Sequence, residues 1–493
     1  MNTGRNTLLK DVLDFFMDYE IKSDRSKQDD EKRQCIKDKK IQFTNDAKTL
    51  IDELQVRMEH GKKQILSYAG EIGASFDKSK PGFSGTISDV ELYSALNLIV
   101  EYQSGIKIPV SYNGLGYNNL IFMSLLLSKM QVNADGKYLG SNAKIFPVLA
   151  IEEPEAHLHP TMQYQFLKFL RDNKDQNRVR QIFITTHSTN IAASVLLDEM
   201  VCLFKNVSET RVGYPGKVFP NETSKKYVQR FLDATKSDML FAEKIIFVEG
   251  IAEQLLMPVF AQYMGISLEE EHVAVLNVGG RYFNHFLYLF DGENQYGIRK
   301  KIVCLTDIDP ERREKGENKR YEKCYPFEYD VRPDIYEYHH NTYMGDYLSD
   351  NYENIKAFTQ SEKFGKTFEY ELVLANPSLD LLVTDSVKNS NEIIDLMKAY
   401  EKNESLLDMI KILRTSQENE RIINSLQESA WAEDDKRKAL IASRYLNSIG
   451  KGENALELAC VLKDNFMERS SGKYRDFKVP EYIKNAIDKV CLE

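Results

Sequence analysis

KIIFVEGIAE, residues 244–253, is the stretch that decides the fold. Lys244 to Val248 form a short apolar, β-branched run, the composition of a strand buried on both faces of a parallel sheet. The run ends on Glu249, and Gly250 permits a tight turn. IAEQLLMPVFAQYMG (251–265) continues as an amphipathic helix, so Glu253 falls one helical turn on and close to Glu249. HVAVLNVGG (272–280) and KIVCLTDID (301–309) are two more strands. Strand and helix alternate, which predicts βαβ units around a parallel sheet. The last of these strands ends in Asp307-Ile308-Asp309, and side chains two apart on an extended segment share a side. Both carboxylates can therefore face one site.

A second block lies upstream. FPVLAIEEPE (146–155) is a short apolar run ending in acids and reads as a buried strand. Helical spacing follows from Thr161 to Asp172. QIFITTHS (181–188) is a second short strand with a polar end. SYNGLGYNN (111–119) leads into an apolar helix, Leu120 to Met130. In this order the pieces resemble the rear half of an ABC-type ATPase domain. The resemblance implies that Glu152 lies near Mg²⁺, that Glu153 aligns the attacking water and that His187 senses a terminal phosphate. It puts Asn113, Gly114 and Gly116 in the signature loop, where glycines let backbone N–H groups approach phosphate. His157 and His159, in a turn bordered by Pro160, read as structural. No GxxxxGK[ST] loop occurs anywhere in the chain. ATP binding is therefore expected only where that loop is supplied: the chain is a fragment, a separate chain contributes the loop, or nucleotide hydrolysis has been lost.

EGxxE with DxD at strand ends is the Toprim pattern. Together, LFAEKIIFVEG, VLNVGGRYF, EEPEAHLHP and ITTHS resemble the OLD (overcoming lysogenization defect) family of ATP-dependent nucleases, which includes the nuclease subunit of Gabija anti-phage systems. The resemblance covers about residues 110–480. It implies a metal-dependent DNA endonuclease in which two Mg²⁺ or Mn²⁺ ions sit between Glu249, Glu253, Asp307, Asp309 and Glu369. Hard oxygen donors suit such ions. In GKTFEYEL (365–372), Glu369 is the favoured ligand and Glu371 the alternative. Lys451, in KGENALELA, stands where the family has an essential lysine; beside carboxylates it would stabilise charge on the phosphate, and otherwise it is a solvated lysine before a helix. Gly279 and Gly280 read as a strand-end turn, with a phosphate contact as the other possibility. PERREKGENKRYEK (310–323) reads as a solvated loop whose basic residues lie within reach of DNA phosphates.

The expected fold class is α/β: an incomplete ABC-type ATPase domain, then a Toprim domain with a Rossmann-like parallel sheet and C-terminal helices. The expected boundaries are a helical, charged segment over 1–110, ATPase over 111–205, a linker over 206–240 and Toprim over 241–493. Residues 74–90 read as a loop. Composition permits this: 493 residues can bury several cores, and 42% are hydrophobic. The net charge of −10 argues against a globally basic nucleic-acid binder but not against a local phosphate-binding patch. The six cysteines lie far apart with no CxxC pair, which argues against a zinc ribbon and against the zinc-binding module that a primase usually carries. No apolar run is long enough for a membrane span and no signal-peptide core is present, so a cytoplasmic protein is expected. ABC-type sites form between protomers, so DNA, a homo-oligomer and a helicase-like protein are the expected partners. A topoisomerase would need a nucleophilic tyrosine, and nothing marks one among the 27 present. The competing class is a catalytically inactive regulatory or assembly protein.

Overall fold

The computed structural model describes residues 17–24, 26–71, 99–101, 105–109, 112, 114–116, 119, 123, 126, 130, 146, 148–156, 158–175, 179–206, 209–232, 237–316, 320–340, 344–348 and 352–492. The loop expected over 74–90, and Asn113 and His157, lie outside the described residues. The chain divides into two compact units, Met1–Ser194 and Val195–Glu493.

The first unit contains a short helix α1 (Tyr19–Ser23), a 43-residue helix α2 (Asp29–Glu71) and a small hairpin of β1 (Ile99–Glu101) and β2 (Lys107–Pro109). Within the charged N-terminal stretch, residues 19–23 and 29–71 are thus helical. Strands β3 (Val148–Glu152) and β4 (Gln181–Thr185) pair in parallel, with Glu152 opposite Thr185. Helix α3 (Pro160–Asp175) crosses between them, and α4 (Thr189–Ala193) follows β4. Leu149 and Ile151 pack on Phe166, Leu170 and Val179. Met123, Leu126 and Met130 carry helical backbone at three- and four-residue spacing and close the same core. Against expectation, β3 is buried on one face only among the described residues: Val148, Ala150 and Glu152 are exposed.

The second unit is built on a parallel sheet of β7 (Lys244–Val248), β8 (Val273–Asn277), β9 (Lys301–Leu305) and β13 (Ile355–Phe358), in the spatial order β13-β9-β7-β8. Each strand is an apolar run because each face meets a different core. Ile246 and Val248 of β7, with Val303 and Leu305 of β9, enter one core. Ile245 and Phe247, with Ile302 and Cys304, enter the other. The first core is completed by helix α7 (Ile251–Tyr263) and by the helices that dominate the chain beyond residue 367. These are α10 (Phe368–Ala375), α11 (Ser390–Glu401), α12 (Leu406–Ile410), α13 (Gln417–Glu428), α14 (Glu433–Leu446), α15 (Lys451–Met467) and α16 (Glu481–Cys491). All six cysteines are free thiols.

Two expectations are corrected. Residues 206–240 are not a linker. They contribute to the hairpin of β5 (Cys202–Asn206) and β6 (Glu209–Gly213) and contain helices α5 (Glu222–Phe231) and α6 (Asp238–Phe241). Val228, Leu232 and Met239 are buried in the second core, so the compact unit begins at Val195 rather than at 241. The stretch after Asp309 is not a simple loop either. It forms β10 (Glu311–Glu314), which pairs antiparallel with both β11 (Glu322–Lys323) and β12 (Tyr336–His339).

One buried carboxylate fastens this small sheet to the helices. Glu328 is fully buried. It accepts from Arg312 (3.0 Å), from Nε and Nη2 of Arg421 (both 2.9 Å) and from the Tyr325 N–H (2.8 Å). A buried ion pair is neutral or costly to build, but losing one partner strands a buried charge. Glu328→Ala is expected to lower unfolding stability by about 3–5 kcal/mol. Arg313→Ala, which breaks the half-exposed pair with Glu337, is expected to cost no more than about 1 kcal/mol. Urea unfolding of both variants checks the contrast, and equal losses would refute it.

Candidate active site

Strand order explains where the acids meet. From β7 the chain passes through α7 to β8 on one side, then returns across β7 to β9, whose neighbour on the far side is β13. The crevice at the C-terminal ends of β7 and β9 is therefore the topological switch point, where open α/β sheets bind ligands. Val248 pairs with Leu305 at the end of that register. Glu249 leaves β7, and Thr306-Asp307 leave β9, side by side.

The contact between them is direct. Glu249 Oε1 accepts from the Thr306 hydroxyl (2.5 Å) and from the Asp307 N–H (3.1 Å). Asp307 Oδ1 accepts from Gln360 Nε2 (2.7 Å) and from the Phe368 N–H at the start of α10 (2.9 Å). Gln360 follows β13, and its Oε1 accepts from the Ile308 N–H (2.9 Å), which fixes the amide. Asp309, in a left-handed conformation with φ of 40°, is paired with Arg281 and donates its N–H to the Lys366 carbonyl (3.0 Å). Glu253 and Glu369 are buried.

The electrostatics bind these groups into one set. Burial, then the charges of Glu253, Glu369, Glu249 and Asp309, push the Asp307 carboxyl well above the usual carboxylate range. Burial also raises Glu249, opposed by its bonds from Thr306 and the Asp307 N–H and by the Arg281 charge. Burial pushes Glu371 up to about 7, and its Oε2 has no hydrogen-bond partner among the described residues. Tyr482 of α16 is buried close to Gln360, Asp307, Glu253 and Glu371. Lys451 opens α15, which packs on α7; a Cβ at Gly452 would lie 3.7 Å from the Ile251 side chain. The Lys451 side chain lies outside the described residues.

Gly250 is small for a reason of space. Its φ of −139° is ordinary, but an added Cβ would lie 2.9 Å from Glu253 Oε2. The glycine makes room for the second acid of EGxxE. Among the described residues no three His, Cys, Asp or Glu side chains stand close enough to hold one ion as placed. Protein donors hold Glu249, Asp307 and Asp309 instead. Acids gathered around Asp307 are nonetheless of the chemistry that a hard divalent cation suits.

Sequence reading named these five acids but missed Arg281, Thr306, Gln360 and Tyr482. Only Arg281 carried a signal, since it follows two glycines at a strand end.

In the first unit, Glu153 Oε1 lies 3.6 Å from His187 Nε2, so the acid and the histidine do meet at the ends of β3 and β4. Glu153 has φ of 43° and donates its N–H to the Thr185 carbonyl (2.9 Å). Glu152 and Gly114 are exposed, and Gly116 is buried. Glu155, also missed, accepts from the Thr186 hydroxyl (2.7 Å) and the His187 N–H (2.8 Å), which tethers the histidine's backbone.

Residues 240–309 match the family model described as "Overcoming lysogenization defect protein-like, TOPRIM domain", and residues 6–192 match an AAA ATPase domain. The chain carries an AAA ATPase domain and an OLD-like TOPRIM domain. It is similar to the endonuclease GajA of Bacillus cereus (strain HuB5-5), at 25% identity over 46% of this chain and 35% of that protein. It is similar to the OLD nuclease of Thermus scotoductus, at 24% identity over 47% of this chain and 42% of that protein. The matched stretches thus span less than half of these relatives. A solved C-terminal region of the Burkholderia pseudomallei OLD protein is 22% identical, covering 51% of this chain and 97% of that one, with a TM-score of 0.28. No helix among the described residues is long and apolar enough to cross a membrane.

The TOPRIM site yields a pH prediction. Asp307 holds its proton more tightly in the folded chain than in the unfolded one. Its contribution to stability is therefore present below the ordinary carboxylate pKa of about 4 and is lost as pH rises through the higher folded value. In chelator, Asp307→Asn is expected to unfold at a higher temperature than wild type at pH 8, with the gap narrowing towards pH 5. A gap that is independent of pH would contradict the cause given for the shift.

Proposed function

We propose that the TOPRIM domain hydrolyses DNA phosphodiester bonds with Mg²⁺ or Mn²⁺, and that the ATPase domain regulates it. The observation that carries this reading is the pair of hydrogen bonds from Thr306 and Asp307 to Glu249, which joins the EGxxE and DxD segments at one crevice. The divalent cation, held by Glu249, Glu253, Asp307, Asp309 and Glu369, would supply an activated water and neutralise charge on the scissile phosphate.

The chain's own residues do the rest. Thr306 and the Asp307 N–H hold the Glu249 carboxylate at the mouth of the β7–β9 crevice. Gln360 and the Phe368 N–H aim Asp307 from the other side, and the first turn of α10 brings Glu369 to the same pocket. Lys451 is assigned to the charge that develops on the phosphate or on the leaving oxygen. An inactive assembly protein would have no use for a buried set of carboxylates whose repulsion costs stability. On the family resemblance alone, we further place the protein in anti-phage defence, acting as an oligomer with a helicase-like partner. In the ATPase domain, Glu153 and His187 form the acid–histidine edge of a nucleotide site, which is expected to take ATP only where a phosphate-binding loop is supplied.

Plasmid nicking tests the activity. Wild type is expected to cut with Mg²⁺ or Mn²⁺ and not with chelator. Glu249→Ala and Asp307→Ala are each expected to lose at least about a hundredfold, the scale of removing one preorganised charge-stabilising group. Wild-type cutting by either variant would refute the assignment. Binding of the cation is tested apart from activity by Gly250→Ala, whose methyl group displaces the Glu253 carboxylate. It should unfold within about 1 kcal/mol of wild type, because only the end of a flexible side chain must move. By isothermal titration it should nevertheless bind Mn²⁺ several-fold more weakly. Unchanged Mn²⁺ affinity would remove Glu253 from the site.

A further inference from the structure

The turn that follows β8 touches both halves of the acid site. Gly279 and Gly280 have φ of 78° and 115°, conformations open to glycine at little cost. Gly279 donates its N–H to Asn277 Oδ1 (2.7 Å), and Gly280 donates to the carbonyl of Glu249 (2.8 Å). The turn is thereby tied to the end of β7. Its next residue, Arg281, reaches across to Asp309 beyond β9. Next again is Tyr282, 47% exposed. Its ring lies 5.3 Å from that of Tyr227 and 6.3 Å from that of His285, nearly parallel to the latter at 21°. Tyr227 in turn packs on Phe231 and His285 at 4.7 and 4.5 Å. Tyr282 is therefore the open outer ring of a supported aromatic stack. Arg281 is 40% exposed, and the Asp309 contact uses only part of its five-donor fork.

We propose that Gly279–Tyr282 is the substrate-gripping element of the TOPRIM site: Arg281 binds a DNA phosphate beside the scissile bond, and Tyr282 stacks on an adjacent unpaired base. The proposal rests on the nuclease reading and deepens it by naming the substrate form. A guanidinium offers planar, multidentate donors to phosphate. An exposed ring on a rigid aromatic support gives a base a stacking surface at little cost in side-chain freedom. Bases inside a duplex are already stacked, so the pair favours single-stranded or locally opened DNA. The two left-handed glycines shape the turn that carries Arg281 and Tyr282, and a Cβ at Gly280 would rest in ordinary contact, 3.5 Å, with the Tyr282 ring.

The test measures binding of the full chain to a labelled single strand and to its duplex by fluorescence anisotropy, with Ca²⁺ in place of Mg²⁺, over a salt series. Arg281→Gln is expected to weaken both forms. It should also make the slope of log K against log salt shallower by about 0.7–0.9, the loss of one phosphate contact, and Arg281→Lys should recover most of that slope. Tyr282→Leu is expected to weaken the single strand about tenfold, in the range of one stacked base, and to leave the duplex nearly unchanged. If Arg281→Gln does not fold, Tyr282→Leu, at an exposed ring, still decides. Wild-type plasmid cutting alongside unaltered single-strand affinity in Tyr282→Leu, or an unaltered salt slope in a folded Arg281→Gln, would overturn the proposal alone. A wild-type chain that neither binds nor cuts DNA would instead sink the nuclease reading beneath it.

Discussion

The hydrogen bond from the Asp307 backbone to Glu249 is the constraint on which the rest of the second unit depends. It exists because β7 and β9 are neighbours in register, Val248 against Leu305, and because both strands are buried on both faces. An acid at the end of such a strand has one place to go, the crevice beyond the sheet. Two acids there repel each other, so the surrounding structure supplies donors: a threonine hydroxyl, two backbone N–H groups, a glutamine amide and an arginine. Helix α10 contributes twice, through the N–H of Phe368 and through Glu369. The site is thus a charge problem solved by backbone geometry before any ligand arrives.

Much of this was legible in the residues. A parallel strand between two cores has no polar face, so KIIFV and KIVCL announce themselves by composition, and the acids that follow them are placed by the strand ends. Spacing leaves Glu369 and Glu371 both open as ligands. Both sit in the first turn of α10, and only the tertiary position of that helix brings Glu369 among the charges that raise Asp307.

The misreadings share a cause. ETSKKYVQRF reads as polar linker because a short amphipathic helix commits few residues to the core; Val228 is one that matters. ERRE reads as a solvated loop because its strand character depends on cross-strand partners from residues 322 and 336 onward, and because Arg312 finds its counter-charge only at Glu328. Gln360 and Tyr482 have no local signal, since their roles come from strand order and from a helix at the far end of the chain. The upstream strand VLAIE was expected to be buried on both sides; among the described residues its cover comes from one side only.

The alternation of β7 between two cores has a consequence for the integrity of the acid site. Odd and even residues of Ile245–Val248 belong to different interiors. A slip of one residue would exchange every side chain between them. The same slip would draw Glu249 out of line with Asp307. Alignment errors during folding therefore forfeit the hydrophobic interior and the acid crevice at once. The molecule has no inexpensive misaligned state in which part of the acid crevice persists, so the packing of the interior proofreads the arrangement of carboxylates at its edge.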